Sequence, residues 1–280
     1  LNSANTTGQF IYVDATEGWR IVFTGAQSEL NESFISATGG NATLTCGNYR
    51  THVFTGPGTF TVNSVGCAGV NDIVDYMVVA GGGAGGPGYQ GGGGGAGGFR
   101  ISNCSSRSGI PASTMSPLVS STGLTVTAQG YPITVGGGGA GGNPQGTAPS
   151  GSNSVFSTIT SAGGGGGGTA GEGGGSNPNA PPNGSGGPGG SGGGAGSKAT
   201  DSGFVPQAGA GNTPPVSPAQ GNNGGSAGAD GFSAFTNTAG GGGAGAVGAT
   251  GSNQSTAASG GIGSFLADAV IGPTAPSYGT

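Results

Sequence analysis

Apolar and polar residues alternate along the first 80 positions and then give way to glycine. FIYVDATEGWRIVF, Phe10 to Phe23, reads as two short strands around an Asp-Ala-Thr-Glu-Gly turn, with Trp19, the only Trp, as a packing anchor. SFISATGGNATLTCG continues the strand pattern. THVF and TFTV then alternate around Gly56-Pro57-Gly58, which predicts a hairpin closed by that turn. His52, the only histidine, lies in this alternating stretch and is expected to be structural. VDYMVVA, Val74 to Ala80, is short, β-branched and nearly all apolar, the pattern of a strand buried on both faces.

Past residue 80 the side chains that define a face disappear. Glycine blocks recur near 81–98, 136–142, 163–175, 184–196, 221–231 and 239–251, separated by short strand-like pieces: FRIS, GLTVTAQGYPITV and NSVFSTITSA. With 73 Gly and 17 Pro in 280 residues the composition suits disorder, but only 5% of residues are charged, and charge is what keeps disordered chains solvated. The alternative is a layered array of polyproline-II-like threads. Such threads have three residues per turn and no internal hydrogen bonds, so every N–H and C=O must find a partner in a neighbouring thread. Glycine alone lets the backbones approach. The expected fold class is therefore mainly β with polyglycine-II helices and almost no α-helix, because no stretch shows a 3.6-residue period free of Gly or Pro. Residues 1–80 form an N-terminal β region and 81–280 the glycine-rich array, which is expected to be incomplete at its C-terminus. The first residue, Leu1, with no basic-then-apolar leader, is the expectation for a processed start or a fragment.

Charge and cysteine content narrow the functions. A net charge of −5 without a basic patch argues against nucleic-acid binding, and no apolar run is long enough to span a membrane as a helix. Cys46, Cys67 and Cys104 allow at most one intrachain bridge; Cys46 and Cys67 flank a strand pair and are the candidate disulfide, with buried thiols as the alternative. No C-x-x-C metal spacing occurs, and neither a metal nor a cofactor is expected. G-x-G-x-x-G occurs in many registers, yet no helix can follow it and no acidic residue lies about 20 positions on. The single lysine, Lys198, follows Ser197 rather than Gly, which removes a P-loop. A nucleophilic triad would have to use His52, and Asp72 with Asp75 is expected to stay solvated beside a strand rather than form a catalytic pair. The expected class is non-enzymatic.

The ordered series FTGPGTFTV, VDYMVVAGGGAGG, GGGGGAGGFR, YPITVGGGGAGG, GSNSVFSTITSAGGGGGG and GNTPPVSPAQGNNGG resembles the glycine-rich domain of bacteriophage tail-fibre and receptor-binding proteins of the aquatic-phage type. The upstream VDATEGWR is similar to the β linker that often precedes that domain. The resemblance implies polyglycine-II helices layered into a sandwich, edge loops that contact a host cell-surface glycan or protein, other virion subunits as partners, and a virion location. It assigns no residues. The family continues to a terminal strand, whereas this chain stops at PTAPSYGT.

Two functional classes follow: a phage adhesin or tail-fibre segment, and a self-assembling extracellular filament subunit joined by strand addition at Phe10 to Phe23. Both imply a homo-oligomer, a closed trimer in the first case and a helical polymer in the second. Asn5, Asn31, Asn41, Asn103, Asn183 and Asn253 stand in Asn-x-Ser/Thr sequons compatible with a glycosylated surface fibre. Bulky side chains cannot enter a glycine array, so Tyr89, Phe99, Arg100, Phe204, Phe232 and Phe235 belong at thread ends, on outer layers or at subunit contacts. GPGYQGG interrupts a glycine tract with a turn signal, so Tyr89 and Gln90 should project as a loop suited to sugar stacking and hydrogen bonding. With Asn177, Asn179 and Asn183 of the Asn- and Pro-rich turn they are the receptor-contact candidates.

Overall fold

The structure, a computed structural model, describes residues 6–12, 19–26, 34–46, 49–66, 71–88, 90–103, 116–141, 148–169, 184–196, 206–228, 238–251 and 258–265. Among these there is no α-helix. β1 (Thr6–Tyr12) and β2 (Trp19–Ala26) pair antiparallel with Tyr12 opposite Trp19 and a bulge at Gln9/Phe10, the strand pair expected from Phe10 to Phe23.

The next strands depart from the expected hairpin. After β3 (Ser36–Thr38), β4 (Ala42–Cys46) pairs with β5 (Tyr49–Val53), while β6 (Gly58–Ser64) joins a different sheet beside β3. THVF and TFTV therefore do not pair with each other. Gly39 and Gly40, at φ +108° and +98°, turn the chain from β3 into β4, and Asn41 Oδ1 accepts the Thr55 N–H at 2.8 Å, steering the 54–57 connection away from a tight turn. His52 is structural, as expected: its Nδ1 hydrogen-bonds Gly39 O at 2.7 Å and its ring meets Phe60 edge-on at 5.3 Å.

β7 (Ile73–Val74), β8 (Met77–Val79), β9 (Phe99–Ser102), β10 (Val119–Ser120), β11 (Leu124–Thr125), β12 (Gly130–Thr134), β13 (Ser154–Phe156) and β14 (Ile159–Ser161) complete the strands. The main sheet runs β14-β13-β12-β6-β3, so it draws strands from both sides of residue 80; the smaller sheets are β10-β9-β8 and β11-β7. Phe60, Val62, Val78, Val126, Tyr131 and Phe156 form the apolar core, with Phe156 edge-on to both Phe60 and Tyr131. β8 is not buried on both faces. Val78 is 8% exposed while Met77 and Val79 are 50% and 47% exposed, because this edge of the molecule has a core on one side only.

Five strands run directly into glycine threads: β8 into 80–86, β12 into 136–141 and β14 into 162–169, while threads 91–98 and 148–153 run into β9 and β13. The antiparallel pairing of β8 with β9 continues as Ala80 N–H to Gly98 O, Gly83 to Gly95 and Gly86 to Gly92. The step between bonds to one neighbour has become three residues. In thread 162–169, Gly164 and Gly167 donate to Gly81 and Ala84, Gly165 and Gly168 to Ser191 and Gly194, and Gly163 and Gly166 to Asn153 Oδ1 and Ser150 Oγ. Its carbonyls at Ala162, Gly165 and Gly168 accept from Gly98, Gly95 and Gly92, and those at Gly163 and Gly166 from Gly190 and Gly187. With Gly164 O accepting from Gly151, these bonds reach five neighbouring threads, 80–86, 91–98, 148–153, 184–190 and 191–196, within the close packing of polyglycine-II helices, which has six neighbour positions.

Threads 184–188, 191–196, 206–211, 221–228, 238–243, 246–251 and 258–263 extend the array with the same three-residue step. Most of their glycines could not carry a side chain: a Cβ on Gly165 would collide with Gly187 O and one on Gly193 with Gly166 O. Ala195, Ala227 and Ala239, on three adjacent threads, meet in a small buried cluster inside the array.

Candidate functional site

The threads have two unlike ends. At the sheet end, residues 80, 98, 136, 153 and 162 adjoin strands, and the 212–220 turn closes the array. There Asn212, at φ +48°, accepts the N–H groups of Val216 and Gln220 on Oδ1 at 3.1 and 3.2 Å. Gln220, 1% exposed, is the largest fully buried side chain: Oε1 accepts Ala162 N–H and Nε2 donates to Pro214 O, each at 2.8 Å, while its carbonyl accepts Phe99 N–H. This amide locks β9, β14 and the turn together, which gives GNTPPVSPAQ an architectural use.

The other end is where the connections gather. Thread ends 86 and 91, 141 and 148, 169 and 184, 196 and 206, 228 and 238, and 251 and 258 all lie away from the sheets. The bonds Gly86 to Gly92, Gly196 to Gly184, Ala227 to Pro206, Gly93 to Ala239, Gly251 to Ser226 and Ala258 to Thr238 place them there. The segments 87–90, 142–147, 170–183, 197–205, 229–237 and 252–257 therefore all depart from and return to one face of the array. Between residues 162 and 251 every charged residue (Glu172, Lys198, Asp201, Asp230) and every aromatic one (Phe204, Phe232, Phe235) falls in these segments. The threads carry none of them, since their sites admit no large side chain.

Of the receptor-contact candidates, Gln90 alone lies within the described residues. It is half-buried and engaged in an interaction of its own, so it is not a free projecting amide. Tyr89, Asn177, Asn179 and Asn183 lie outside the described residues; the described threads that flank them end at 86 and 91 and at 169 and 184, at the far face. Gly88, at φ +92°, turns the chain there, a conformation glycine adopts without strain. Phe99 and Arg100 sit at the opposite end in β9, half-buried, with Arg100 Nη1 donating to Thr160 O at 3.3 Å. Sequence reasoning did not single out 197–205 and 229–237 as contact segments. The signal was available: they are the places where charge and aromatics interrupt the glycine blocks.

Of the two carboxylates expected to stay solvated, Asp75 is exposed, accepting from Ser102 Oγ at 2.9 Å, whereas Asp72 is only 9% exposed, its backbone carbonyl accepting Val126 N–H. Asn103 is 2% exposed, so its sequon is closed to modification in this fold, whereas Asn41 is exposed. Cys67 and the Cys46 side chain, the candidate disulfide, lie outside the described residues. Among the described residues no group of His, Cys, Asp and Glu could hold a metal ion, and no helix is long and apolar enough to cross a membrane. In comparisons with family models, with curated proteins and with solved structures, nothing matches the chain.

Proposed function

We propose that the chain is an adhesive virion segment, a phage-type tail-fibre or receptor-binding unit that contacts a host cell-surface glycan or protein and performs no catalysis. One observation carries this reading. Between residues 162 and 251, the charged and aromatic residues all fall in connections whose flanking threads end on one face of a cross-bonded glycine platform. A rigid base lowers the ordering cost of contacts made by loops, and aromatic side chains with neighbouring amides suit sugar recognition. Homo-oligomerisation with other virion subunits completes the reading.

The test is adsorption of the fluorescently labelled chain to a panel of bacteria. Variants would combine Tyr89→Ala with a shortened 177–183 segment, or replace 197–205 and 229–237 by Gly-Ser. Correctly folded variants should lose adsorption by about tenfold or more, the ratio that corresponds to removing a contact of about 1.4 kcal/mol. Full adsorption by both variants would overturn the far-face assignment.

The extracellular filament subunit is a second reading, favoured by a separate observation. β1 and β2 form a two-stranded sheet of their own, so their outer edges lack a partner strand among the described residues. Electron microscopy of the purified chain separates the two, since a filament subunit forms open polymers and a fibre segment closes.

A further inference from the structure

Among the described residues the glycine array has an unfilled position. Thread 238–243 is ringed by 91–98, 191–196, 221–228, 246–251 and 258–263, through bonds such as Gly93 N–H to Ala239 O, Ala239 to Ala195, Gly225 to Gly240, Gly240 to Ala249 and Gly261 to Gly241. That accounts for five of its six neighbours. At the sixth, between 91–98 and 258–263, lies a groove of about 610 Å³ whose floor and walls are Gly91 to Gly95, Thr238 to Gly243 and residues of 258–263.

The unused backbone groups point to the same place. Along 238–243 the N–H groups of Ala239 and Gly242 serve one neighbour and those of Gly240 and Gly243 another, while Gly241 N–H, third in the cycle, donates to nothing among the described residues although Gly241 is buried. Along 91–98 the carbonyls of Gly92, Gly95 and Gly98 serve one neighbour and those of Gly93 and Ala96 another; Gly91, Gly94 and Gly97 accept nothing. The groove thus offers the Gly241 N–H from its floor and the Gly91 and Gly94 carbonyls, three residues apart, from one wall. Its complement is a polyglycine-II thread without side chains on the facing positions.

We propose that this groove receives the 136–141 thread of a second copy of this chain. That thread is exposed along its outer side. It has partners on one side only, through Gly139 N–H to Gly82 O and Ser152 N–H to Gly137 O, and Gly137, Gly138, Ala140 and Gly141 are exposed. Its six residues, two turns, match the Gly91-to-Ala96 stretch that lines the groove. Thread 258–263 adds apolar area for a partner, with Ile262 74% exposed and Phe265 just beyond it 59% exposed. A thread entering a groove elsewhere on the molecule is a head-to-tail contact, which yields a closed ring or an open polymer according to the rotation. The inference is independent of what the far face binds.

The test uses the full chain and light scattering across a concentration series. A Cβ on Gly260 would have Gly241 O as its nearest atom at 3.7 Å and one on Gly263 would meet nothing, so Gly260→Val and Gly263→Val obstruct the groove without disturbing the fold; Gly138→Val, 3.5 Å from Gly82 O, does the same to the donor thread. The wild-type chain should show a mass that rises with concentration. Each variant, with unchanged circular dichroism and melting, should stay monomeric, and an equimolar mixture of Gly260→Val with Gly138→Val should recover a dimer, because each retains one half of the contact. A monomeric wild type, or groove variants that assemble normally, would overturn the proposal. So would a monomeric wild type that binds a lysine-flanked nonaglycine peptide, which would assign the groove to another protein's segment.

Discussion

Gln220 and Ser191 are both buried in the array, and they predict opposite outcomes. Gln220→Ala leaves the buried Ala162 N–H without a partner, a cost of about 1–3 kcal/mol, while exposed Pro214 can turn its carbonyl to water, so the urea midpoint should fall. Gln220→Glu keeps an acceptor for Ala162 but sets a carboxylate oxygen against the Pro214 carbonyl, and should be no better than the alanine variant. Ser191 is fully buried and its Oγ has no partner. Ser191→Ala removes that unmet hydroxyl while keeping the Cβ, and should raise stability by about 1 kcal/mol in the same assay. A loss of stability on Ser191→Ala would mean that the hydroxyl is satisfied in solution.

Threads differ from strands in what substitution does to them. Gly165→Ala in the interior thread sets a methyl against Gly187 O and should separate two threads, at about 1–3 kcal/mol for each backbone group left unpaired, whereas Gly137→Ala on the exposed thread meets nothing and should be neutral. Equal denaturation midpoints for the two variants would refute the packed array. The threads were legible in the sequence because glycine recurrence, scarce charge and the demand that every backbone group be bonded leave few alternatives. Strand pairing was less legible. The turn signal at Gly56-Pro57-Gly58 is real, but β5 pairs with β4 just upstream, Cys46 opposite Tyr49, Asn41 Oδ1 captures Thr55 N–H, and β6 is left to β3 and the distant β12. VDYMVVA misled for a related reason: an apolar run does not state how many of its faces are covered, and Met77 and Val79 are not. Sequence placed Tyr89, Asn177, Asn179 and Asn183 in loops, but that their flanking threads end on one face follows only from thread direction.

Across the whole molecule, backbone protection should be graded by the number of neighbouring threads. In the dilute monomer, hydrogen exchange should be slowest in 162–169, which bonds to neighbours on most sides, and near the unprotected rate at Gly137 and Gly138, whose N–H groups donate to no described residue. Uniform protection of both threads would contradict the layered architecture. The three-residue step has a further consequence, for slippage. A glycine thread moved along its axis by one turn, roughly 9 Å, regains every backbone bond it lost, so hydrogen bonding alone cannot distinguish the native alignment from its shifted copies. The difference rests with the few residues that are not glycine. Ala195, Ala227 and Ala239 fit together only when three adjacent threads are in phase, and after a slip their methyls would face carbonyl oxygens where no Cβ has room. The scattered alanines of the glycine blocks therefore act as alignment marks, small enough to enter the array and large enough to admit a single phase.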